Sequence, residues 1–389
     1  MSLIRKPELK PLRQEFSSGP CAKRPGWDLA CISQMAYLGR SHRAKGPKYQ
    51  INQVISLTKE ILKIPKDYKV GVVPASNTGA FEMAIWTMLG KLPVDIFAWE
   101  NFGLAWANDV INELKIEDYR VVTSAYGFLP DMTKLRRRSD VCFTWNGTTS
   151  GVRIPNANWI PNDREGLVIC DATSAVFGQK VDWNKLDATT FSWQKAMGGE
   201  ASHGMLILSP KAVNRLESYF PNRPLPKIFR LVKNGKLIEE IFTGDTINTP
   251  SMLCVADALD SLKWMQGIGG LDVTVERANS NFQVLQDWLD QQDWIENLVK
   301  NDLYRSNTSV CLKIVSKGFL ELSGDKQRYF IKELVDLLES EEVAYDIGAH
   351  REAPPGLRIW CGATVENKDL LDLLPWLKWA FDTVESSFK

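Results

Sequence analysis

The sequence has little of what would indicate a metal site, a disulfide framework or a membrane span. Its 3 histidines lie far apart and give no metal-ligand spacing, and its 7 cysteines include no C-x-x-C pair. An odd, scattered set of cysteines favours reduced thiols over disulfides. No apolar run approaches the roughly 18 residues of a membrane helix. We therefore expect no metal and no membrane partner.

Charge and the first residues exclude two further classes. The 47 basic and 47 acidic side chains give a formal net charge of zero. A neutral chain has no overall attraction for a polyanion, so we expect no nucleic-acid partner. The first sixteen residues are polar and contain two prolines. They predict no signal peptide, and with the reduced thiols they predict a cytoplasmic location.

What the sequence does contain is the composition and the alternation of a large α/β protein. Its 389 residues, 44% hydrophobic and 24% charged, exceed a single ordinary core. Strand-like and helix-like segments alternate over residues 69–210, which predicts a mostly parallel sheet with helices on both faces. We expect an exposed N-terminal arm (1–15), a large domain (16–265) and a small C-terminal α+β domain (266–389).

One stretch carries more chemistry than any other. An apolar run at 167–170 predicts a buried strand that stops at Asp171, and a second β-prone run at 189–193 ends just before Lys195. The ends of neighbouring strands border the ligand crevice of an open α/β sheet. Lys195 lies among aromatic and small residues, which favours a desolvated amine with a lowered pKa over a surface ion pair.

A nucleophilic lysine beside a carboxylate fits the cofactor pyridoxal 5'-phosphate. The lysine forms a Schiff base with the cofactor, and the acid keeps the ring nitrogen protonated so that the ring withdraws electrons. The pattern Asp171-x-x-Ser174, a spacer of about twenty residues, Gln194-Lys195 and a glycine-rich turn resembles the fold-type I, class V aminotransferases. Within that class the chain most resembles the phosphoserine aminotransferase family.

The resemblance implies a fold and a set of cofactor contacts. The fold is a large domain with a mostly parallel, seven-stranded type of sheet plus a small C-terminal α+β domain. The turn at 76–80 is expected to hold the cofactor phosphate near a helix N-terminus, with the choice among residues 77–80 left open. Trp106 is expected to stack on the pyridine ring, with Phe102 as the alternative. The implied cofactor residues are Thr78, Gly79, Ala80, Trp106, Thr148, Asp171, Ser174, Gln194, Lys195, Asn248 and Thr249.

Asn248 and Thr249 also imply a second chain. They match an Asn-Thr-Pro segment whose side chains, in the family, reach the cofactor phosphate across a dimer interface. The resemblance therefore implies a homodimer with shared active sites. Taken alone, the same three residues are also an ordinary helix start.

Two basic loops are the expected substrate site. By resemblance, Arg358 binds the substrate α-carboxylate, and His350 and Arg351 meet the substrate phosphate together with His42 and Arg43 of the partner subunit. The planar guanidinium fork suits such anions. Each loop alone would be ordinary solvated charge.

The resemblance implies a reaction and leaves two alternatives. An amino group passes from L-glutamate to 3-phosphohydroxypyruvate, a phosphorylated oxo acid, giving 3-phospho-L-serine and 2-oxoglutarate for serine biosynthesis. The same site could serve the phosphorylated four-carbon oxo acid of vitamin B6 synthesis. The first alternative is another class V aminotransferase, of the alanine-glyoxylate or serine-pyruvate type, which needs no second cationic loop. The other is a cofactor-binding protein without catalysis, against which the complete set of Lys195, Asp171 and Arg358 argues.

Overall fold

A central seven-stranded sheet organises the protein in the computed structural model, which describes residues 5–388. The strand order is β1-β7-β6-β5-β4-β2-β3. The strands are β1 (Lys69–Pro74), β2 (Val94–Ala98), β3 (Tyr119–Thr123), β4 (Asp140–Thr144), β5 (Val168–Asp171), β6 (Ala188–Ser192) and β7 (His203–Leu208). All neighbours pair in parallel except β7, which runs antiparallel to both β1 and β6. The mostly parallel α/β sheet predicted from the sequence is confirmed.

Helices cover both faces of this sheet because its strands are apolar on both sides. Phe97 packs into the core on one face, whereas its neighbour Ile96 packs into a separate core on the other. Such two-sided burial is typical of parallel sheets. The helices are α1 (Leu29–Met35), α2 (Lys45–Ile61), α3 (Ser76–Met88), α4 (Asn101–Asn108), α5 (Pro210–Ser218), α6 (Met252–Gly267), α7 (Leu271–Leu289), α8 (Lys317–Leu320), α9 (Gly324–Ser340) and α10 (Asn367–Ser387).

A second, antiparallel sheet lies in the C-terminal part. It consists of β10 (Ile295–Asn297), β11 (Ser309–Ile314) and β12 (Leu357–Trp360), with β11 in the centre. Helix α10 packs on α7 and α9 beside it. A hairpin, β8 (Val232–Lys233) and β9 (Lys236–Leu237), turns at two residues with positive φ, as the Asn-Gly pair there predicts.

The N-terminal segment is mostly solvent-exposed, yet it is attached along its length to C-terminal elements. Trp376 Nε1 donates to the carbonyl of Leu9 at 2.6 Å, and the amide of Leu12 donates to Asp369 Oδ1 at 2.8 Å. The Tyr345 amide donates to the Gln14 carbonyl at 2.9 Å. The segment expected to be an exposed arm is therefore exposed on its outer side and docked on the C-terminal part. Residues 1–4 of that arm, like Lys389 of the expected small domain, lie outside the described residues.

Residues just after the segment link the two sheets. The Trp360 amide of β12 donates to the Phe16 carbonyl at 3.0 Å, and the Cys21 amide donates to the Gln194 carbonyl at 2.8 Å. Residues 17–20 are thus held between β12 and the turn that carries Lys195.

Between residues 5 and 388, no helix has the length and the apolar character needed to cross a bilayer.

Candidate active site

A cavity of about 280 Å³ opens at the carboxyl ends of the parallel strands. Strand ends of α/β sheets are where ligand crevices form, because the loops that follow the strands converge there. Its walls include seven of the residues predicted to bind the cofactor, namely Thr78, Trp106, Thr148, Asp171, Ser174, Gln194 and Lys195.

Lys195 lies three residues after the end of β6, in the turn that follows the strand, and is buried. Its amine donates to the carbonyl oxygen of Ser18. Burial lowers the pKa of Lys195, and the charge of Arg358 lowers it further, whereas Cys21 and Asp171 act in the opposite direction. A lysine with a lowered pKa has a larger fraction of free amine, which is the nucleophilic form.

Asp171 is the last residue of β5, and its carboxylate is buried. One oxygen accepts from the amide and the hydroxyl of Thr173 at 3.0 and 2.6 Å, and the other accepts from Trp106 Nε1 at 3.1 Å. Burial raises the pKa of Asp171, and hydrogen bonds from Thr173, Trp106 and Asn77 oppose the rise. A cation placed beside this carboxylate would favour its ionised form.

The two aromatic candidates for ring stacking differ in their surroundings. The indole of Trp106 stacks on Phe81 with ring centroids 4.4 Å apart, and its side chain is 6% exposed. Phe102 also lines the cavity and is 39% exposed. Trp106 thus uses one ring face to stack on Phe81 and its nitrogen to donate to Asp171, whereas Phe102 has more exposed ring surface.

Thr148 and Ser174 form one polar cluster with Asn146. Thr148 Oγ1 donates to Ser174 Oγ at 2.8 Å, and Asn146 Nδ2 donates to the same hydroxyl at 2.8 Å. Ser174 Oγ in turn donates to the Asn146 carbonyl at 3.0 Å. These bonds fix the loops after β4 and β5 against each other beside Asp171.

The N-terminus of α3 places two of the residues expected to hold the phosphate, Gly79 and Ala80, away from the cavity. The helix begins at Ser76, directly after Ala75 in the left-handed conformation (φ 66°). The amide of Gly79 therefore donates within the helix, to the Ala75 carbonyl at 2.9 Å, and Ala80 is fully buried. Neither lines the cavity, which Ser76, Asn77 and Thr78 do.

The four residues expected to serve the partner's site also lie outside this cavity in the single chain. Arg43, Asn248 and Thr249 are exposed, and His42 is buried, with an Nε2 atom that has no partner among the described residues. The cavity and these residues are therefore not brought together within one chain.

The predicted substrate loop lies next to the cavity in part. Arg358, on β12, is half-buried, and its Nε atom has no hydrogen-bond partner within residues 5–388. The ring of His350 lies 6.1 Å from that of Phe102, and burial, with the charges of Arg358 and Arg351, lowers the pKa of His350. The Arg351 side chain is 87% exposed and pairs with Glu352.

Comparison with known proteins identifies the family. The chain is 52% identical over 380 residues to a phosphoserine aminotransferase from Methanosarcina mazei, and the match covers 98% of this chain and 100% of that protein. The chain belongs to the phosphoserine aminotransferase family. No family model matches it.

Solved phosphoserine aminotransferases share the fold. The enzyme from Cytophaga hutchinsonii superimposes with a TM-score of 0.78 at 20% identity, covering 93% of this chain and 97% of that one. A phosphoserine aminotransferase from Trichomonas vaginalis, solved with PLP bound, gives a TM-score of 0.74 at 18% identity, covering 94% of this chain and 100% of that one. The expected fold-type I architecture is confirmed.

This phosphoserine aminotransferase family member has cavity residues that sequence reasoning did not single out. They are Gly19, Pro20, Glu100, Thr144, Asn146, Thr173 and Ala201. Two of them could have been found, because Glu100 and Thr173 each stand two residues after a strand end. Gly19 and Pro20 follow no strand; the Ser-Ser-Gly-Pro sequence at 17–20 predicts a turn but does not show that the turn reaches the cavity.

Proposed function

We propose that the protein is a pyridoxal-phosphate-dependent aminotransferase that passes an amino group from L-glutamate to 3-phosphohydroxypyruvate, giving 3-phospho-L-serine and 2-oxoglutarate. One observation carries the proposal: a buried lysine amine and a buried carboxylate share one cavity at the ends of adjacent strands. The relative that is 52% identical over nearly the whole chain favours this reaction over that of the alanine-glyoxylate or serine-pyruvate type.

The cavity is chemically suited to pyridoxal 5'-phosphate. Asn77, Thr144 and Gln194 line the cavity, and each has a buried side-chain oxygen with no hydrogen-bond partner within the described chain. Buried polar atoms are normally paired, so these oxygens favour a polar ligand. At one end, the Asn77 and Thr78 amides in the first turn of α3 have no acceptor inside the helix and are suited to a phosphate, whereas the Ser76 amide donates to the Ser202 carbonyl at 3.3 Å.

Each residue then has a role of its own. When bound, the cofactor supplies a conjugated ring that accepts electron density from the substrate Cα. Lys195 would hold the cofactor through Nζ, and its amine would take the proton from the substrate Cα and return it as general base and acid. Asp171 would keep the proton on the ring nitrogen. We assign ring stacking to Phe102 and the support of Asp171 to Trp106.

The cofactor's remaining contacts follow from the same walls. Ser76, Asn77 and Thr78 would hold the phosphate in place of Gly79 and Ala80. Thr148, tied to Ser174, would donate to the ring oxygen, and Gln194 would meet the cofactor beside Lys195.

Substrate recognition rests on cationic side chains at the cavity mouth. Arg358 would bind the α-carboxylate. Its Nε has no hydrogen-bond partner among the described residues, and its charge lies close enough to Lys195 to lower the pKa of that amine. His350 and Arg351 would meet the substrate phosphate. A phosphate and a carboxylate on one small molecule need two such groups of cations.

We also propose a homodimer in which the partner subunit completes each site. Three of the predicted residues are exposed and lie away from the cavity of their own chain, namely Arg43, Asn248 and Thr249. This is expected of residues that contact the cofactor or substrate of the partner subunit. Mixing a Lys195→Ala protein with an Asn248→Ala/Thr249→Ala protein tests this. Hybrid dimers with one intact site should regain activity, whereas exchanged but inactive hybrids would contradict sharing.

The domain division and the cellular location are proposals of the same kind. The two sheets support a large domain over 16–265 and a small domain from 266 onward. The seven cysteines are all free thiols, which suits the cytoplasm.

The central experiment is a substrate comparison with purified, pyridoxal-phosphate-loaded protein. Glutamate formation from 2-oxoglutarate is measured with phosphoserine, with unphosphorylated serine and with alanine as donors. Turnover with phosphoserine alone supports the proposal. Turnover with alanine or serine but not phosphoserine moves the function to the alternative class, and a protein that takes up no cofactor refutes both.

A further inference from the structure

Glu100 is a buried carboxylate in the wall of the cavity to which the reaction described above gives no role. It is fully buried and immediately precedes α4. Its Oε1 accepts from the Gly103 amide at 2.9 Å, which caps the helix. Its Oε2 accepts from the Thr149 hydroxyl at 2.8 Å and from the Thr149 amide at 3.3 Å.

These bonds join two parts of the cavity wall that are far apart in sequence. Helix α4 carries Phe102 and Trp106, and Thr149 directly follows Thr148. The contact is also close, since a Cβ atom added to Gly147 would lie 2.9 Å from the Glu100 side chain. The bond from the Asn101 amide to Thr149 Oγ1, at 3.3 Å, adds a second link between the same two parts.

We propose that Glu100 is a positioning residue that clamps the start of α4 to the Thr148–Thr149 turn, so that the aromatic side chains and Thr148 keep one arrangement around the cofactor ring. The inference rests on the proposed function. A simple helix cap would need only the bond to Gly103, and the shorter side chains of Asp, Ser, Thr or Asn usually make such a bond. The longer side chain of Glu is what reaches Thr149.

The ionised form suits this role because all of these bonds are donated to the carboxylate. Burial raises the pKa of Glu100 to about 7, Gly103 and Thr149 oppose the rise by donating, and Asp171 adds to it. The charge of Glu100 in turn raises the pKa of three neighbouring groups, Lys195, Tyr126 and Cys311. The clamp should therefore be complete above about pH 7 and weaken as protonation replaces an acceptor with a donor.

The test measures cofactor binding and not only turnover. Protein freed of cofactor is titrated with pyridoxal 5'-phosphate, and tryptophan fluorescence reports the affinity between pH 6 and 8.5. Glu100→Gln keeps the shape but loses the charge. Glu100→Asp keeps a good capping residue but falls short of Thr149, and Thr149→Val removes the hydroxyl while leaving Glu100. We expect each to bind the cofactor about tenfold or more weakly at pH 8, the usual effect of losing a bond to a charged group.

The pH profile separates positioning from stability. The affinity of the parent relative to Glu100→Gln should rise as pH increases through about 7 and then level off. Ser209→Ala removes a comparable cap from α5, away from the cavity, and should lower the thermal midpoint without changing affinity. If Glu100→Asp and Thr149→Val bind like the parent, or if the ratio is flat with pH, the inference is wrong. A parent that binds no cofactor overturns the proposed function as well.

Discussion

Gly19 lies directly beside the amine of Lys195. Replacing Gly19 tests whether activity requires that amine to keep its position. A Cβ atom at Gly19 would lie 2.2 Å from Lys195 Nζ and 2.9 Å from Cε, and the backbone there has φ +146°. We expect Gly19→Ala to fold and to lose most of its activity and cofactor affinity.

The size of the expected loss depends on which atoms can move to relieve the clash. Ordinary contact begins at 3.4 Å, so the amine must move by about 1 Å, and the end of a lysine side chain moves more easily than the backbone. A displacement of that size at a reacting group can cost about a hundredfold in rate. The positive φ adds roughly 1 kcal/mol of destabilisation, which lowers the thermal midpoint modestly.

Gly235→Ala is the matched control. It also has a positive φ, +75°, but no atom lies within 4 Å of the added Cβ. Steady-state rates, cofactor titration and thermal unfolding of both variants are compared. We expect similar losses of stability and a loss of activity in Gly19→Ala alone. Full activity in Gly19→Ala, or an equal loss in Gly235→Ala, would refute the reasoning.

Three further substitutions test other contacts. Trp106→Phe removes a donor to Asp171 and should raise the pKa of that carboxyl. Titration with the cofactor should show binding weakened about tenfold or more, and unchanged binding would contradict the supporting role of Trp106. Arg358→Lys keeps the charge but not the fork, and steady-state kinetics should give a KM for phosphoserine about tenfold higher; an unchanged KM would remove Arg358 from the substrate site. Asp140→Asn leaves the buried Arg215 without its ion pair and should cost about 3–5 kcal/mol in urea unfolding, with cofactor affinity retained.

The sheet and the closeness of Asp171 to Lys195 were predictable because their signals are local. Apolar runs such as those of β5 and β7 are fully buried strands, and the ends of parallel strands meet at one edge. Asp171 and Lys195 could therefore be placed near each other without knowing any long-range contact. Strand β3 was missed, because it is an edge strand with polar and exposed positions.

The parts that could not be predicted depend on tertiary contacts or unusual caps. The start of α4 could not be predicted, since glutamate is a poor signal for a helix cap, yet Glu100 caps it. The start of α3 depends on the left-handed conformation of Ala75, which alanine adopts only under tertiary constraint. Gly19 reaches Lys195 because β12, more than 300 residues later, holds Phe16.

The docking of the N-terminal segment bears on how the chain folds as it is synthesised. Residues near the N-terminus leave the ribosome first, at about 5–20 residues per second, but Tyr345, Trp360 and Trp376, which hold this segment, are made last. A nascent chain that ends before residue 345 contains every strand of the central sheet and the Cys21–Gln194 bond, but it lacks the Phe16–Trp360 bond that holds the chain on the other side of Ser18. The cofactor pocket is therefore completed only at the end of translation, and the first residues made are among the last to reach their native contacts.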